Sequence, residues 1–569
     1  MNGLIFCAAL VFIGSTVQAS IWHVSPEPLR SVPRLQQFGT IQRAADVALA
    51  GDTVLIHSGV YREAVTIDRS GTTQQPIRFQ AAPGADVVIT GLDRLTKWRK
   101  DDANVYSTSW PHRFIPWSKT DAHPDDEYHR LIGRAEQVVI DGSALRQTLG
   151  RDQLCPGSFY VDLENQRLYI CPFGGEDARS KKTRVEAATR SLVWDCKGAC
   201  VTMRGIHFRY AANPAQRGAV IFEAHGDTAE DCVFERTNGA GAAFVGPDQV
   251  ARRCVFQNNG QLGFAANRAH NLLITGCTIR NNNVKGFNKQ WEAGGDKIVL
   301  SRGVVLEKSR FLANHGSGIW FDIGNENCRV RNCLIADNED AGIFYEISSG
   351  LNAQDNVVIG NGFASSPGAW GSQAGIVLSS SPNCVVERNL LVGNREGFNF
   401  REQSRTTARI DNPESKPEEA IWNHDERICN NVIAYNRDAQ TRGWFDVTDE
   451  RLWPRRSQTR ESTASLEALR IIIAGNIYAH ENNQPLFIWG TEWRRHSSYS
   501  TIDQIQLELN FEQGGRLLPL EFRAPAVRDF RLPRESPVFQ MNCYPQGDVP
   551  DVKLEKVETE TPNHATLPQ

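Results

Sequence analysis

Cys232-Val-Phe-Glu-Arg-Thr237, Cys254-Val-Phe-Gln-Asn-Asn259 and Cys277-Thr-Ile-Arg-Asn-Asn282 are one phrase written three times, at intervals of 22 and 23 residues. It returns at Ser309–Asn314, Cys333–Asn338, Asn356–Asn361, Asn389–Asn394 and Asn431–Asn436. Each copy opens on a small or polar residue followed by two mostly apolar ones. Each except the first, which has Thr237, carries Asn five residues on. A period near 23 residues built from short strand-like units means a solenoid of stacked coils. Each coil lays its strands about 4.8 Å from those of the previous coil, so the sheets are parallel. The Asn column suits a ladder of side-chain amides at a turn, because Asn tolerates left-handed backbone and bonds to the next rung. Leucine-rich repeats share such periods, but their leucine consensus is absent. The fold class expected is all-β: a right-handed parallel β-helix, with an N-terminal capping helix and an inserted small β subdomain.

The surrounding composition agrees. The 569 residues carry 62 Lys+Arg and 66 Asp+Glu, a formal charge of −4, with 40 % hydrophobic and 22 % charged residues. That is globular composition, not disorder. Mild acidity argues against a nucleic-acid partner. The apolar run ending in Val17-Gln-Ala19 reads as a signal peptide over residues 1–19, hence a secreted or periplasmic protein. No later run approaches the ~20 apolar residues of a transmembrane helix. Of the 13 cysteines, Cys7 leaves with the signal. The Cys column reads as stacked free thiols, small hydrophobes in a core. Cys155 and Cys171, flanking a hairpin, are the disulfide candidates.

Residues 20–95 are expected to hold the cap, with a helix over Thr40–Ala50, and the first coils. The rhythm vanishes over 96–190, the inserted subdomain. It runs through a solenoid assigned to 191–540, where Asp529–Pro533 and Ser536–Phe539 resemble a closing phrase. Residues 541–569 read as a flexible tail. Three coils are enlarged, by Asn283–Asp296, Gly362–Gln373 and Gln403–Glu419. Loops leaving a solenoid at nearly one angular position form walls, and sites favour loops over a rigid scaffold.

Between the first two walls the floor reads Gly318-Ile-Trp-Phe-Asp322-Ile-Gly324 and Gly342-Ile-Phe-Tyr-Glu346-Ile-Ser348. Asp322 and Glu346 are one coil apart and interrupt apolar strands, where a charge is costly unless paired or exposed in a cleft. Stacking at about 4.8 Å matches the roughly 5–5.5 Å that a retaining glycosidase needs between its carboxyls. Two close like charges also raise one partner's pKa, as a general acid requires. Lys297 can serve Asp322 as counter-ion or act as a base. Arg401 and Glu402 are candidates for binding sugar hydroxyls or a carboxylate, His424 and Asp425 weaker ones. Trp291 and Trp370 lie in or beside the walls, where aromatic faces stack on sugar rings.

Trp320-x-Asp322 followed by Glu346-Ile347-Ser348-x-Gly350 resembles the paired motifs of the β-helix β-xylosidase family, within the pectin-lyase-like carbohydrate-active superfamily. That resemblance implies Asp322 as nucleophile and Glu346 as acid/base. Glu292-Ala-Gly-Gly-x-Lys297 is similar to a phrase in many bacterial β-helix proteins. The expected partner is an oligo- or polysaccharide. Trp291, Glu292, Lys297, Trp320, Trp370, Arg401 and Glu402 are the expected substrate contacts. The leading expectation is a retaining glycoside hydrolase without a cofactor. The alternatives are a polysaccharide lyase or epimerase on uronates, with Ca²⁺ held by Asp322 and Glu346, and a non-catalytic glycan-binding β-helix. The lyase predicts several basic residues on the floor, and the sequence offers one or two.

Overall fold

The structure, a computed structural model, describes residues 19–117, 122–364, 373–403, 405–407, 410, 419–445, 469–481, 484–491 and 495–547. Most of the signal peptide, Trp370 and the tail beyond 547 lie outside them. No helix among the described residues is long and apolar enough to cross a membrane.

The coils form three long sheets of 14, 13 and 13 strands, parallel from coil to coil. A typical coil runs through Gly218–Phe222, Thr228–Glu230 and Val233–Glu235, one strand in each sheet, and restarts at Ala240–Phe244. Like residues stack along the axis: Phe208, Phe234 and Phe256 pair in register, with ring centroids 5.3 and 4.7 Å apart. Alternation sends every second side chain of a strand inward and the rest outward.

The Asn column forms a continuous ladder. The Nδ2 of Asn259, Asn282, Asn314, Asn338, Asn361 and Asn394 each donates to the Oδ1 of the next rung at 2.9–3.1 Å. Gln440 closes it beyond Asn436, and Thr237 begins it by donating to Asn259 Oδ1 at 2.9 Å. Glycines open the following strands because the amides lie against them. A Cβ on Gly318 would come within 2.7 Å of Asn338 Nδ2, and one on Gly397 within 2.7 Å of Asn436 Nδ2. Asn338→Ala orphans the Asn314 N–H and the Phe311 carbonyl, both buried. At about 1–3 kcal/mol per buried unsatisfied group, the expected loss is about 3 kcal/mol or more, read from urea unfolding.

The first position of the phrase forms a second column. Cys254 N–H points to Cys277 Sγ at 3.3 Å, Cys277 N–H donates to Ser309 Oγ at 3.1 Å, and Cys333 N–H donates to Asn356 Oδ1 at 3.0 Å. Thiol, hydroxyl and amide thus share one inward site. The cysteines of the described residues are free, Cys155 and Cys171 included, which overturns the suggested bridge. Ser158, not Cys155, is the strand partner of Cys171. Cys155 lies before the strand, where Arg146 Nη2 donates to its sulfur at 3.0 Å.

The capping helix is shorter than its pattern, Ile41–Ala45, and buries Ile41, Ala44 and Ala45. Its first N–H groups are satisfied from a distance by the Glu63 carboxylate, at 2.9 and 3.1 Å. Residues 529–539 are not a closing coil. Leu520, Phe522, Leu532 and Val538 lie across the outer face of the sheet that holds Leu334, Val357 and Leu390. Between Leu92–Arg94 and Val185–Ala188 the chain leaves the solenoid to build a small β unit of five- and four-stranded sheets, the latter including those two strands.

Candidate active site

One sheet presents an outward row whose register is fixed by strand pairing. Phe321 pairs with Tyr345, which places Asp322 beside Glu346 on the next rung. Glu346 then pairs with Ser379, Ser379 with Arg401, and Arg401 with Trp444. Asp322 and Glu346 are the last residues before the chain turns a corner through Ile323 and Ile347, at φ 53° and 46°. Branched side chains rarely enter that left-handed region. The corner is held from within by a polar ladder. Asn325 Nδ2 donates to the Asp322 carbonyl at 3.0 Å, and Ser348 Oγ to the Glu346 carbonyl at 2.8 Å. Ser301, Ser381 and Asn423 do the same for Val299, Ser379 and Arg401. The recurrence of Val299-x-Ser301, Glu346-x-Ser348 and Ser379-x-Ser381 is the sequence signal for this ladder, and it was missed.

Both carboxylates are 7 % exposed. Lys297 Nζ lies 3.0 Å from Asp322 Oδ2. It also sits 4.3 Å from the Trp320 ring centroid and donates to the Trp291 carbonyl. Burial, and then the Asp322 charge, push the Glu346 carboxyl up to about 7, while Arg401, Arg405 and Lys297 oppose the rise. Arg405 Nη1 stands 3.7 Å from Glu346 Oε2. It was not anticipated, because it arrives from the third enlarged coil. That coil forms an antiparallel hairpin of Arg405–Thr407 with Glu419–Ile421, and Thr407 Oγ1 donates to the Ile347 carbonyl at 3.1 Å. The floor therefore gathers more cations than the one or two expected. Burial pulls the Arg401 guanidinium down to about 10, against the pull of Glu346.

Four expected contacts take other roles. Trp320 is 1 % exposed and stacks on Phe344 at 5.6 Å, so no sugar reaches its face. Glu292 is fully buried: His123 Nε2 lies 3.1 Å and Gln261 Nε2 2.9 Å from its Oε2. Trp291 is half-buried, packs on Trp117 at 5.8 Å, and donates through Nε1 to Asp125 at 3.3 Å. Both therefore fasten the first wall to the inserted unit. Glu402 follows Arg401 along one strand and so points the opposite way, where it accepts the Asn423 N–H at 2.6 Å. Asp425 is paired with Arg470 and His424, which gives that pair a local structural role. The first wall ends earlier than drawn, because Gly294–Val299 is already strand and Asp296 is buried there.

The pair does not suit calcium, which takes six to eight oxygen ligands. Its close neighbours are the cations Lys297 and Arg405, and no group of three or more His, Cys, Asp or Glu among the described residues is placed to hold a metal. What the pair can do is hold one carboxylate against an ammonium while its neighbour exchanges a proton near neutrality.

The chain has the right-handed parallel β-helix fold. Residues 189–293 and 217–391 match the sequence family described as right handed beta helix region. The solved complex of XylC with xylose superposes with a TM-score of 0.61 over 83 % of this chain and 86 % of that one, at 18 % identity. A mannuronic acid specific family 6 polysaccharide lyase from human gut microbiota gives 0.44 over 88 % and 91 % at 14 % identity. The mannuronan C-5 epimerase AlgE6 A-module of Azotobacter vinelandii gives 0.42 over 84 % and 94 % at 13 % identity. A curated protein of Bacillus subtilis, YwoF, described as uncharacterized, is 41 % identical over 54 residues, 10 % of this chain and 12 % of its own length.

Proposed function

We propose that the protein is an exported carbohydrate-active enzyme, a retaining glycoside hydrolase, with Asp322 as nucleophile and Glu346 as general acid/base. The observation that carries this reading is the outward pairing of the two carboxyls on consecutive rungs, with Glu346 poised near neutrality. Glu346 gives its proton to the glycosidic oxygen as that bond breaks. Asp322 attacks the anomeric carbon, and the sugar becomes an ester of its carboxylate. The deprotonated Glu346 then takes a proton from water, which displaces Asp322 and releases the sugar. Lys297 orients Asp322. The motif resemblance to the β-helix β-xylosidase family supports the same assignment of roles.

The pH dependence follows from Glu346. The active free enzyme holds it protonated, so kcat/KM is expected to fall about tenfold per unit above about 7. A profile rising through that range contradicts the acid role.

One observation favours a second reading. Lys297, Arg401 and Arg405 all bear on the pair, and converging cations suit a metal-independent lyase acting on uronates. Incubation with neutral and uronate polysaccharides separates the two. New reducing ends without ultraviolet absorbance support hydrolysis, and unsaturated products absorbing in the ultraviolet establish the lyase.

A further inference from the structure

The inserted unit carries a cleft that the reaction above does not use. It opens between two sheet edges, Leu92–Arg94 of the four-stranded sheet and Arg99–Asp102 of the five-stranded one. Its volume is about 590 Å³, within the range of roughly 300–1,000 Å³ usual for ligand sites. Four cations line it, Arg94, Lys97, Arg99 and Arg167, with the hydroxyls of Ser107, Thr108 and Ser109; among the described residues no acid is in the lining, and Asp101 lies behind it against Arg99 and Ser107. This is unusual on a chain whose net charge is −4. Only part of that charge is neutralised within the fold. Arg99 Nε pairs with Asp101 at 2.6 Å, while Arg167 donates to Ser107 Oγ and Arg94 Nη2 to the Lys181 carbonyl at 3.3 Å. Arg94, Lys97 and Arg99 are exposed. Guanidinium forks beside hydroxyl groups match a carboxylate or sulfate on a sugar.

The same unit is bolted to the catalytic wall. His123 meets Glu292, and Asp125 accepts from Asn288 at 2.8 Å and from Trp291. The unit that carries the cleft is therefore fixed to the coils that carry the Asp322/Glu346 row. We infer that the cleft between Leu92–Arg94 and Arg99–Asp102 is a second carbohydrate site, for a segment of anionic polysaccharide. It stands independently of the reaction at Asp322 and Glu346.

The test is affinity electrophoresis of the full-length Glu346→Gln protein, which suppresses turnover, in gels containing polyuronate, dextran sulfate or a neutral glucan. Retardation is expected in a charged gel and not in the neutral one, and the gel that retards identifies carboxylate or sulfate as the recognised group. Arg94→Gln with Lys97→Gln removes two charges that hold no ion pair among the described residues, and is expected to weaken retention at least about tenfold, the loss from removing charge-assisted hydrogen bonds. A thermal melt confirms that this variant folds. No retardation in either charged gel, retardation unchanged in the folded double variant, or equally tight binding of a single-stranded oligonucleotide overturns the assignment.

Discussion

Replacing Glu346 with Gln is expected to slow hydrolysis of an ordinary glycosidic bond by about 10²–10⁴-fold, the usual contribution of a positioned general acid or base. The size of the loss depends on the leaving group. An aryl glycoside whose phenol departs without a proton retains far more of its rate in the first step. The second step then limits, because no base activates water. Azide, which needs no base, is expected to restore turnover and yield a glycosyl azide of retained configuration. The substitution also has a stability signature of opposite sign. Glu346 titrates in the folded protein at about 7, against an ordinary glutamate near 4.3. Its neutral form therefore fits the fold, and stability present at low pH is lost as pH rises from the unfolded value through the folded one. A Gln at this position never ionises. The variant is expected to match the parent near pH 4 and to exceed it at pH 8 by on the order of 3 kcal/mol. Denaturant unfolding at the two pH values reads this difference, and a variant less stable than the parent at pH 8 contradicts the burial account of Glu346.

Replacing Asp322 with Asn is expected to cost more, about 10⁴-fold or beyond, as when other covalent nucleophiles are removed. The loss should be the same for good and poor leaving groups, because the attacking atom itself is gone. Lys297 keeps its contacts with Trp291 and Trp320, so the site should hold its shape. Binding of an intact oligosaccharide is expected to survive while turnover does not. If loss of activity and loss of substrate affinity move together, Asp322 is a binding residue and the mechanism falls.

The repeat was readable because each inward position tolerates few residue types. The column from Cys232 to Asn431 is small and polar, and the Asn ladder accepts little but amide. Counting along those columns was enough to set Asp322 beside Glu346. Parity within a strand was the weaker signal. Glu402 looked like a neighbour of Arg401 on the floor, yet adjacent strand residues face opposite ways. Trp320 does face outward, but Lys297 and Phe344 cover it, and such coverage has no local pattern. Arg405 and His123 escaped notice for a different reason. Arg405 is delivered by a hairpin folding back onto an earlier rung, and His123 meets Glu292 across 169 residues of chain. Periodicity locates residues inside the coils and is silent about what their insertions carry to them.

The covalent intermediate is the most direct test of the central claim. A 2-deoxy-2-fluoro derivative of whichever glycoside the enzyme turns over slows both steps, the second more, and lets the ester accumulate. Mass spectrometry of the denatured protein and its peptides then reads where the sugar is held. The expected result is one sugar per chain, attached to the peptide containing Asp322. A sugar attached to a different residue, or an unlabelled enzyme whose natural substrate is released with inverted configuration, contradicts a retaining mechanism built on Asp322 and Glu346.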